Sequence, residues 1–187
     1  MNTLWDLRKT IVPVFVGVVV FFMICGGFKA YQARNESRAA VLLDKNELSE
    51  VIRHYSGTRS ALVASMKLGK QAVDSQKWDE ALQWYESVIV KSKKLPLLKV
   101  AALQNEALVY LKKGDMDRAV GLLDQTIQEP KNINPDYSRL LLAHVREVRG
   151  EKDKAQELYK SLSEGTADGL VQREAKERLT WLEGQKK

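Results

Sequence analysis

Three segments of the chain repeat the same order of residue types, and this repeat constrains the fold more than any other feature. The segments are QKWDEALQWY (76–85), GDMDRAVGLL (114–123) and GEKDKAQELY (150–159). In each copy an aspartate is followed two residues later by an alanine, and the three alanines, Ala81, Ala119 and Ala155, are 38 and 36 residues apart. A period of this size indicates helical hairpins that bury their apolar faces against one another.

An apolar run with helical spacing precedes each segment. The runs are LVASMKLGKQAV (62–73), AALQNEALVYL (101–111) and SRLLLAHVREV (138–148). A small residue recurs in them, at Gly69, Ala107 and Ala143, and we expect it to let the second helix approach closely, with that helix's alanine opposite. Tyr85 and Tyr159 follow the alanine by four residues in two of the copies.

The residues between the two helices of each copy also favour a tight turn. Gly114 and Gly150 suit the left-handed backbone conformation that ends a helix. An acidic residue follows each glycine, where it meets the unpaired N–H groups at the start of the next helix. Gln76 replaces the glycine in the first copy, so we expect that turn to be built differently.

This order of small residue, glycine, alanine and aromatic resembles the tetratricopeptide repeat. The resemblance covers residues 58–163 as three copies, and the aromatic residue of the first helix survives only as Tyr110. It implies an all-α fold, an α-solenoid of about three repeats. The segment GLVQREAKERLTWLEG (169–184) has Leu170, Ala175, Leu179 and Leu182 at helical spacing, which predicts a C-terminal capping helix.

In such folds the first helices line a concave face, which is the usual binding surface. The register implied by the resemblance predicts a mixed, rather apolar face, suited to loose recognition of unfolded or apolar segments. The alternative is that its leucines pack against neighbouring helices. The predicted face consists of Val63, Met66, Lys70, Val73, Gln104, Leu108, Leu111, Tyr137, Leu140, His144 and Glu147.

The amino-terminal part of the chain contains eighteen residues without a charge, IVPVFVGVVVFFMICGGF (11–28). As a helix this run is roughly 27 Å long, close to the thickness of a bilayer's hydrocarbon core. Arg8 and Lys29 flank it, and Trp5 and Tyr31 lie where interfacial aromatics are common. We expect a single transmembrane helix. A cleaved signal peptide and a lipoprotein are the alternatives.

The chain is therefore expected to have four parts: a short tail (1–10), the transmembrane helix (11–28), a linker with an amphipathic helix (29–57) and the repeat domain with its cap (58–187). The segment RAAVLLDKNELSEVIRHY (38–55) supplies the amphipathic helix. It could cap the first repeat, lie on a membrane surface or bind a partner helix. Charge does not settle the orientation, because basic residues flank the span on both sides.

The whole layout resembles the YfgM-type bacterial inner-membrane proteins, which are ancillary subunits of the Sec translocon. The resemblance rests on a short tail, one span, KAYQARNESRAAVLL (29–43), and then the repeats beginning at YSGTRSALVASMKLGKQAVDSQKWDEALQWYESVI (55–89). It implies a single-pass protein with a periplasmic repeat domain that associates with the translocon and a membrane-anchored chaperone. Scaffolds of other envelope assemblies and ligand-sensing regulators are the alternative functions.

Several other function classes are poorly supported. The net charge of +6 is spread along the chain except at KSKK (91–94), which does not favour nucleic-acid binding. No activating motif surrounds a serine or the single cysteine, and no cofactor is expected.

The pair Asp115 and Asp117 could suggest a metal site, but the first aspartate aligns with Lys77 and Glu151, so a role at the start of a helix explains it better. Trp78, Trp84 and Tyr85 could form an exposed aromatic patch or an inter-helix core, and the core is favoured.

Overall fold

A computed structural model describes the backbone of residues 3–185 and the side chains of residues 20–185. Within those bounds all of the regular secondary structure is helical. The helices are α1 (Thr3–Asp44), α2 (Leu48–Tyr55), α3 (Arg59–Asp74), α4 (Trp78–Lys91), α5 (Pro96–Lys113), α6 (Met116–Gln128), α7 (Pro135–Val148), α8 (Lys152–Glu164) and α9 (Gly169–Gly184).

The chain divides into two compact bodies, Met1–Ala64 and Ser65–Lys187. The first body contains α1, α2 and the start of α3. The second contains the rest of α3 and the helices α4 to α9, in which each helix from α4 onward packs against the next.

The core of the second body contains three buried clusters, and each centres on one repeat while including residues of the helix that follows it. Ala72, Ala81 and Tyr85 of the first repeat form one cluster with Val109 of α5. Ala107, Ala119 and Leu123 of the second repeat lie in the next cluster with residues of α7, and Ala143, Ala155 and Tyr159 of the third repeat lie in the last one with residues of α9. The alanines at the recurring positions in the last two repeats have no exposed surface. Because these side chains are so small, the two helices of a hairpin approach closely, which explains their recurrence in the sequence.

The turns inside the repeats share one geometry. Gly114 and Gly150 have φ angles of 82° and 85°. Gln76 takes the same left-handed conformation with a φ of 58°. In each turn this residue donates to the carbonyl three residues back, and the next N–H donates to the carbonyl five residues back, at 2.8 to 3.0 Å. The expectation of a different first turn is therefore wrong, because two hydrogen bonds hold Gln76 in a conformation that glycine adopts without strain.

The first body repeats this arrangement in α1 and α2. Asn46 has a φ of 60°, and its N–H and that of Glu47 donate to Leu43 and Leu42 in the same pattern. Ala39, seven residues before the turn, and Val51, five residues after it, are fully buried. The spacing matches that of Ala107, Gly114 and Ala119. The end of α1 and α2 therefore form a fourth hairpin of the same kind.

This hairpin corrects the prediction for residues 29–57. The segment 38–55 is not one amphipathic helix, because the left-handed turn at Asn46 ends α1 at Asp44 and lets α2 begin at Leu48. Helix α1 runs without a break from Thr3 to Asp44, so it continues past residue 28, where the membrane span was predicted to end.

The predicted membrane-spanning segment is described only in part. Residues 11–19 lie outside the described side chains, and only the carboxyl-terminal half of the apolar run can be followed in detail. Within the described part of the chain, no helix combines the length and the apolar character that crossing a membrane requires.

One carboxylate of the second body stands where the other repeats carry leucine. Glu106 directly precedes Ala107, as Leu68 precedes Gly69 and Leu142 precedes Ala143. Burial, followed by the charge of Glu86, raises the pKa of Glu106. Among the described residues, neither glutamate has an ion pair. The half-buried carboxylate therefore opposes folding when it is charged.

We expect Glu106→Gln to stabilise the second body by about 1 kcal/mol at neutral pH. The pKa is raised on folding, so the wild-type chain is most stable below the unfolded-state pKa and loses stability as the pH rises through the folded-state value. Thermal unfolding of both chains between about pH 4 and pH 7 measures the difference. The gain should vanish at the acidic end, and a gain that does not depend on pH would contradict the explanation. Glu86→Gln is the control and should have a smaller effect, because Glu86 is exposed.

Candidate functional site

The first helices of the later repeats lie side by side in the second body. Helix α5 packs against α7, and α7 packs against α9. The capping helix α9 therefore occupies the place that the first helix of another repeat would take. We call the surface that α5, α7 and α9 share the first-helix face.

Local sequence signals fix where α7 and α9 begin. The side chain of Asn134 accepts a hydrogen bond from the Tyr137 N–H, and Pro135 occupies the first turn of α7. Asp168 does the same at α9, where it accepts from the Leu170 N–H at 2.9 Å. A capping side chain satisfies an N–H group that would otherwise lack a partner. Both caps therefore hold the helix ends from which Tyr137 and Leu170 project.

A cleft of about 760 Å³ lies between α7 and α9. Tyr137, Leu170 and Trp181 line it, and their side chains are 40%, 66% and 50% exposed. Leu170 and Trp181 stand eleven residues apart on α9, which is about 16 Å along the helix, enough for roughly five residues of an extended chain. We call this surface the α7–α9 cleft.

The rim of the α7–α9 cleft is charged. Asp168, Glu174 and Glu177 contribute carboxylates, and Arg173 and Arg178 contribute guanidinium groups. An apolar floor with a polar rim is the usual composition of a surface that binds another protein.

One wall of the cleft is tied to the core beneath it. The buried Tyr159 hydroxyl donates to Glu147 Oε2 at 2.8 Å, and Arg178 Nη1 of α9 lies 3.6 Å from Glu147 Oε1. Burial, followed by the hydrogen bond to Glu147, raises the pKa of Tyr159, so its hydroxyl remains a donor at physiological pH. These contacts join α7, α8 and α9 and fix the position of Arg178.

The structure places the predicted face residues in three groups. Lys70 and Tyr137 are exposed, and Val63, Gln104, Leu108 and His144 are half-buried. Met66, Val73 and Leu111 are partly buried and pack against the repeat cores. Leu140 is 4% exposed, belongs to the core of the third repeat and also contributes to the lining of the α7–α9 cleft, and Glu147 is held by Tyr159 and Arg178.

Leu140 and Glu147 are therefore engaged by the third repeat, and the reason is the helical register. These residues lie three before and four after Ala143, which at 100° per residue places them within about 60° of its buried side. Met66, Val73 and Leu111 have the same offsets from their own small residues. Residues one after the small residue, such as Leu108 and His144, lie about 100° away and remain partly exposed.

The sequence-based prediction also missed residues of the α7–α9 cleft. Leu170 is one of the apolar positions whose spacing predicted the capping helix, but it is 66% exposed, and Val171 is buried beside Ala175 and Leu182 instead. Trp181 was missing from the predicted face. The available signal is that Leu170–Val171 and Trp181–Leu182 are adjacent apolar pairs, and neighbours 100° apart cannot both face the same core.

The aspartates of the repeats link consecutive hairpins. Asp79 Oδ1 lies 2.5 Å from Lys113 Nζ, and Asp117 Oδ1 lies 2.8 Å from Arg149 Nη1. In both pairs the cation directly precedes the residue with left-handed backbone in the following repeat. Asp115 instead caps α6 by accepting from the Arg118 N–H. Across residues 20–185, no three acidic, histidine or cysteine side chains are grouped so that they could hold a metal ion.

The aromatic residues of α4 belong to the interior. Tyr85 is 2% exposed, and its ring lies against Gly69. Trp78 packs partly buried against the same cluster, and the indole nitrogen of Trp84 is buried. These side chains do not form an exposed patch.

Comparisons with known proteins agree with this architecture. The family model for the tetratricopeptide repeat matches residues 102–134, which contain most of α5, the glycine turn and α6. No curated protein matches the sequence.

Two solved structures of a putative kinesin light chain with nearly identical TPR-like repeats from Podosopora anserina are similar to this chain. The first, a variant of that protein with a single substitution, has a TM-score of 0.51 at 20% identity and covers 70% of this chain and 72% of its own. The second has a TM-score of 0.52 at 17% identity, and the coverages are 82% and 87%. The chain therefore has the fold of tetratricopeptide-like helical repeats.

Proposed function

We propose that the chain is a membrane-anchored scaffold that holds a protein partner in the α7–α9 cleft. The observation that carries the proposal is the cleft itself, in which Tyr137, Leu170 and Trp181 leave large apolar surfaces uncovered. Contiguous apolar surface of this kind marks interaction sites. Tetratricopeptide-like repeats are typically non-catalytic interaction scaffolds, which favours holding a partner over chemistry on it.

The proposed membrane anchor is the apolar run of α1. Phe21, Phe22, Met23 and Ile24 are between 63% and 68% exposed. Four consecutive residues of a helix cover almost its whole circumference, so this part of α1 is apolar on nearly every side. A helix that is apolar all round is suited to a lipid environment. Lys29 and Tyr31 follow the run and suit the level of the lipid headgroups.

The proposed location is the bacterial inner membrane, with the repeats in the periplasm and with the Sec translocon and a membrane-anchored chaperone as partners. This assignment is supported by the resemblance of the layout to YfgM-type proteins. Reporter fusions after residue 187 test the orientation. A cytoplasmic signal would exclude the periplasmic location and every envelope-assembly role.

Site-specific photo-crosslinking in intact cells tests the partner. A photoreactive residue in place of Leu170 is expected to crosslink to a translocon or chaperone subunit. The same residue in place of Lys160, an exposed position on α8, is the control and should give no such product. If position 170 crosslinks only to other envelope proteins, the partner belongs to an assembly other than the translocon. If it gives no crosslink above the control, the α7–α9 cleft is not the docking site.

We predict that the double substitution Tyr137→Ala and Trp181→Ala lowers the yield of the Leu170 crosslink at least tenfold. Removal of a large aromatic side chain from the centre of an interface commonly costs about 2 kcal/mol or more. Val41→Ala, which truncates an exposed apolar residue of the first body, is the matched control. An unchanged yield in the double variant, with its helical content intact, would contradict the proposal.

A further inference from the structure

A second pocket of about 420 Å³ lies at the connections between repeats in the second body. It is formed by the last turn of α4, the first turn of α5 and the α6–α7 connection, and it shares no lining residue with the α7–α9 cleft. We call it the lysine pocket.

The lysine pocket has excess positive charge. Residues 91–99 contain four lysines and no acidic residue. Lys93 of this stretch and Lys131 of the α6–α7 connection line the pocket, and both are exposed. Neither they nor Lys94 has an ion-pair partner in the described part of the chain.

The carboxylate that lines the lysine pocket is already neutralised. Glu129 Oε2 lies 3.5 Å from Lys99 Nζ, and the two side chains are only 22% and 30% exposed. This pair joins the end of α6 to the first turn of α5 and forms one wall. The lysines at the mouth remain available for charges supplied from outside.

Apolar side chains form the rest of the wall. Ile89, Val90 and Pro96 line the pocket, and Val90 is 59% exposed. Leu97, on the first turn of α5 next to Pro96, is 51% exposed. A ligand that fills the site therefore has to bring both negative charge and apolar surface.

We propose that the lysine pocket binds an acidic protein segment that carries an apolar side chain between its carboxylates. Carboxylates complement Lys93, Lys94 and Lys131, and the apolar side chain covers Val90 and Ile89. Nucleic acid is a poorer match, because recognition of single strands uses aromatic stacking and no aromatic residue lines this pocket. The site is additional to the α7–α9 cleft and does not depend on the membrane assignment.

Fluorescence anisotropy with the full-length chain in detergent tests the proposal. The probe is a labelled short peptide of glutamate and aspartate with two central leucines. We expect saturable binding that weakens as salt rises from about 0.1 M to 1 M, where the screening length falls from roughly 10 Å to 3 Å. The triple substitution Lys93→Glu, Lys94→Glu and Lys131→Glu should weaken binding at least about tenfold.

A second triple substitution distinguishes an effect of the lysine pocket from an effect of the net charge of the chain. Lys45, Lys67 and Lys160 are exposed and lie outside the pocket, and their replacement by glutamate lowers the net charge by the same amount. This control should bind the peptide within about twofold of the wild-type chain. Circular dichroism of both triple variants checks that the helices persist.

The same assay contains the results that would overturn the proposal. Equal losses in the two triple variants would show that only net charge matters. If a peptide in which serine replaces the leucines binds as well, the apolar wall does not contribute to binding. If phosphatidylglycerol vesicles or single-stranded DNA bind more tightly than the peptide, and only the pocket variant loses this binding, the ligand is a membrane or a nucleic acid and not an acidic protein segment.

Discussion

Glu36→Ala is expected to loosen the start of α3 by about 2 kcal/mol, because it removes the only acidic side chain that caps this helix in the described structure. Glu36 lies on α1, yet its carboxylate accepts from the Arg59 N–H at 2.7 Å and from the Ser60 N–H at 2.9 Å. The Ser60 hydroxyl donates to the same carboxylate at 2.7 Å. Hydrogen bonds to a charged acceptor are worth about 1.5–3 kcal/mol, and solvent access reduces this sum.

The effect should depend on pH. Burial alone would raise the pKa of Glu36, but the hydrogen bonds from Ser60 and the Arg59 N–H outweigh it and lower the pKa below its ordinary value of 4.5. A carboxylate whose pKa is lowered on folding stabilises the folded state above the unfolded-state pKa. This stability is lost as the pH falls through the folded-state value, so the wild-type chain and the alanine variant should converge in acid.

Hydrogen exchange measured by mass spectrometry checks this prediction without requiring the whole chain to unfold. The amides of α3 should exchange faster in Glu36→Ala, while those of α8 serve as the internal reference. Glu36→Gln is the matched control, since its amide oxygen still accepts hydrogen bonds but carries no charge, and it should show an intermediate effect. Unaltered exchange in α3 at neutral pH would mean that Glu36 contributes nothing to the stability of the first body.

The three repeats of the second body were predictable because their signals are local and periodic. A small residue, a left-handed turn and an alanine recur at fixed spacing, and each reflects a steric requirement of the hairpin. The α1–α2 hairpin was missed, although Ala39, Asn46 and Val51 have the same spacing. In this hairpin asparagine replaces the glycine of the turn and valine replaces the alanine of the second helix. The distance between successive turn residues is also different, because Asn46 precedes Gln76 by 30 residues, whereas the later turns are 38 and 36 residues apart. Sequence alone did not show that the long α1 continues into this hairpin.

The candidate site was less predictable than the fold. A rotation of about 40° around the helix decides whether a residue is buried or partly exposed on the first-helix face, as the difference between Leu140 and His144 on α7 shows. Burial then depends on which neighbouring helix covers that side, and this is a tertiary property. The α7–α9 cleft exists because α9 leaves Leu170 and Trp181 uncovered. The spacing of α9 indicates its buried stripe but not the shape of the surface beside it.

Gly69→Leu is expected to destabilise the second body by about 3 kcal/mol, in the upper range of overpacking effects. A Cβ atom at this position would lie 2.6 Å from Cε1 of Tyr85, closer than carbon atoms can pack. Tyr85 is 2% exposed, so its ring cannot move aside without displacing other core residues. Gly69→Ala is a milder test, because the roughly 1 kcal/mol gain in helix propensity offsets part of the clash.

The second repeat supplies the compensating change for this clash. The second repeat has Ala107 and Leu123 at the positions where the first repeat has Gly69 and Tyr85. The side chains of Ala107 and Leu123 are fully buried. The double variant Gly69→Ala and Tyr85→Leu copies that pair, and we expect it to lose less stability than the two single variants added together. Urea unfolding followed by tryptophan fluorescence measures the coupling, since Trp78, Trp84 and Trp181 all lie in the second body. Strictly additive losses would show that the close contact between Gly69 and Tyr85 does not limit the packing of the first repeat.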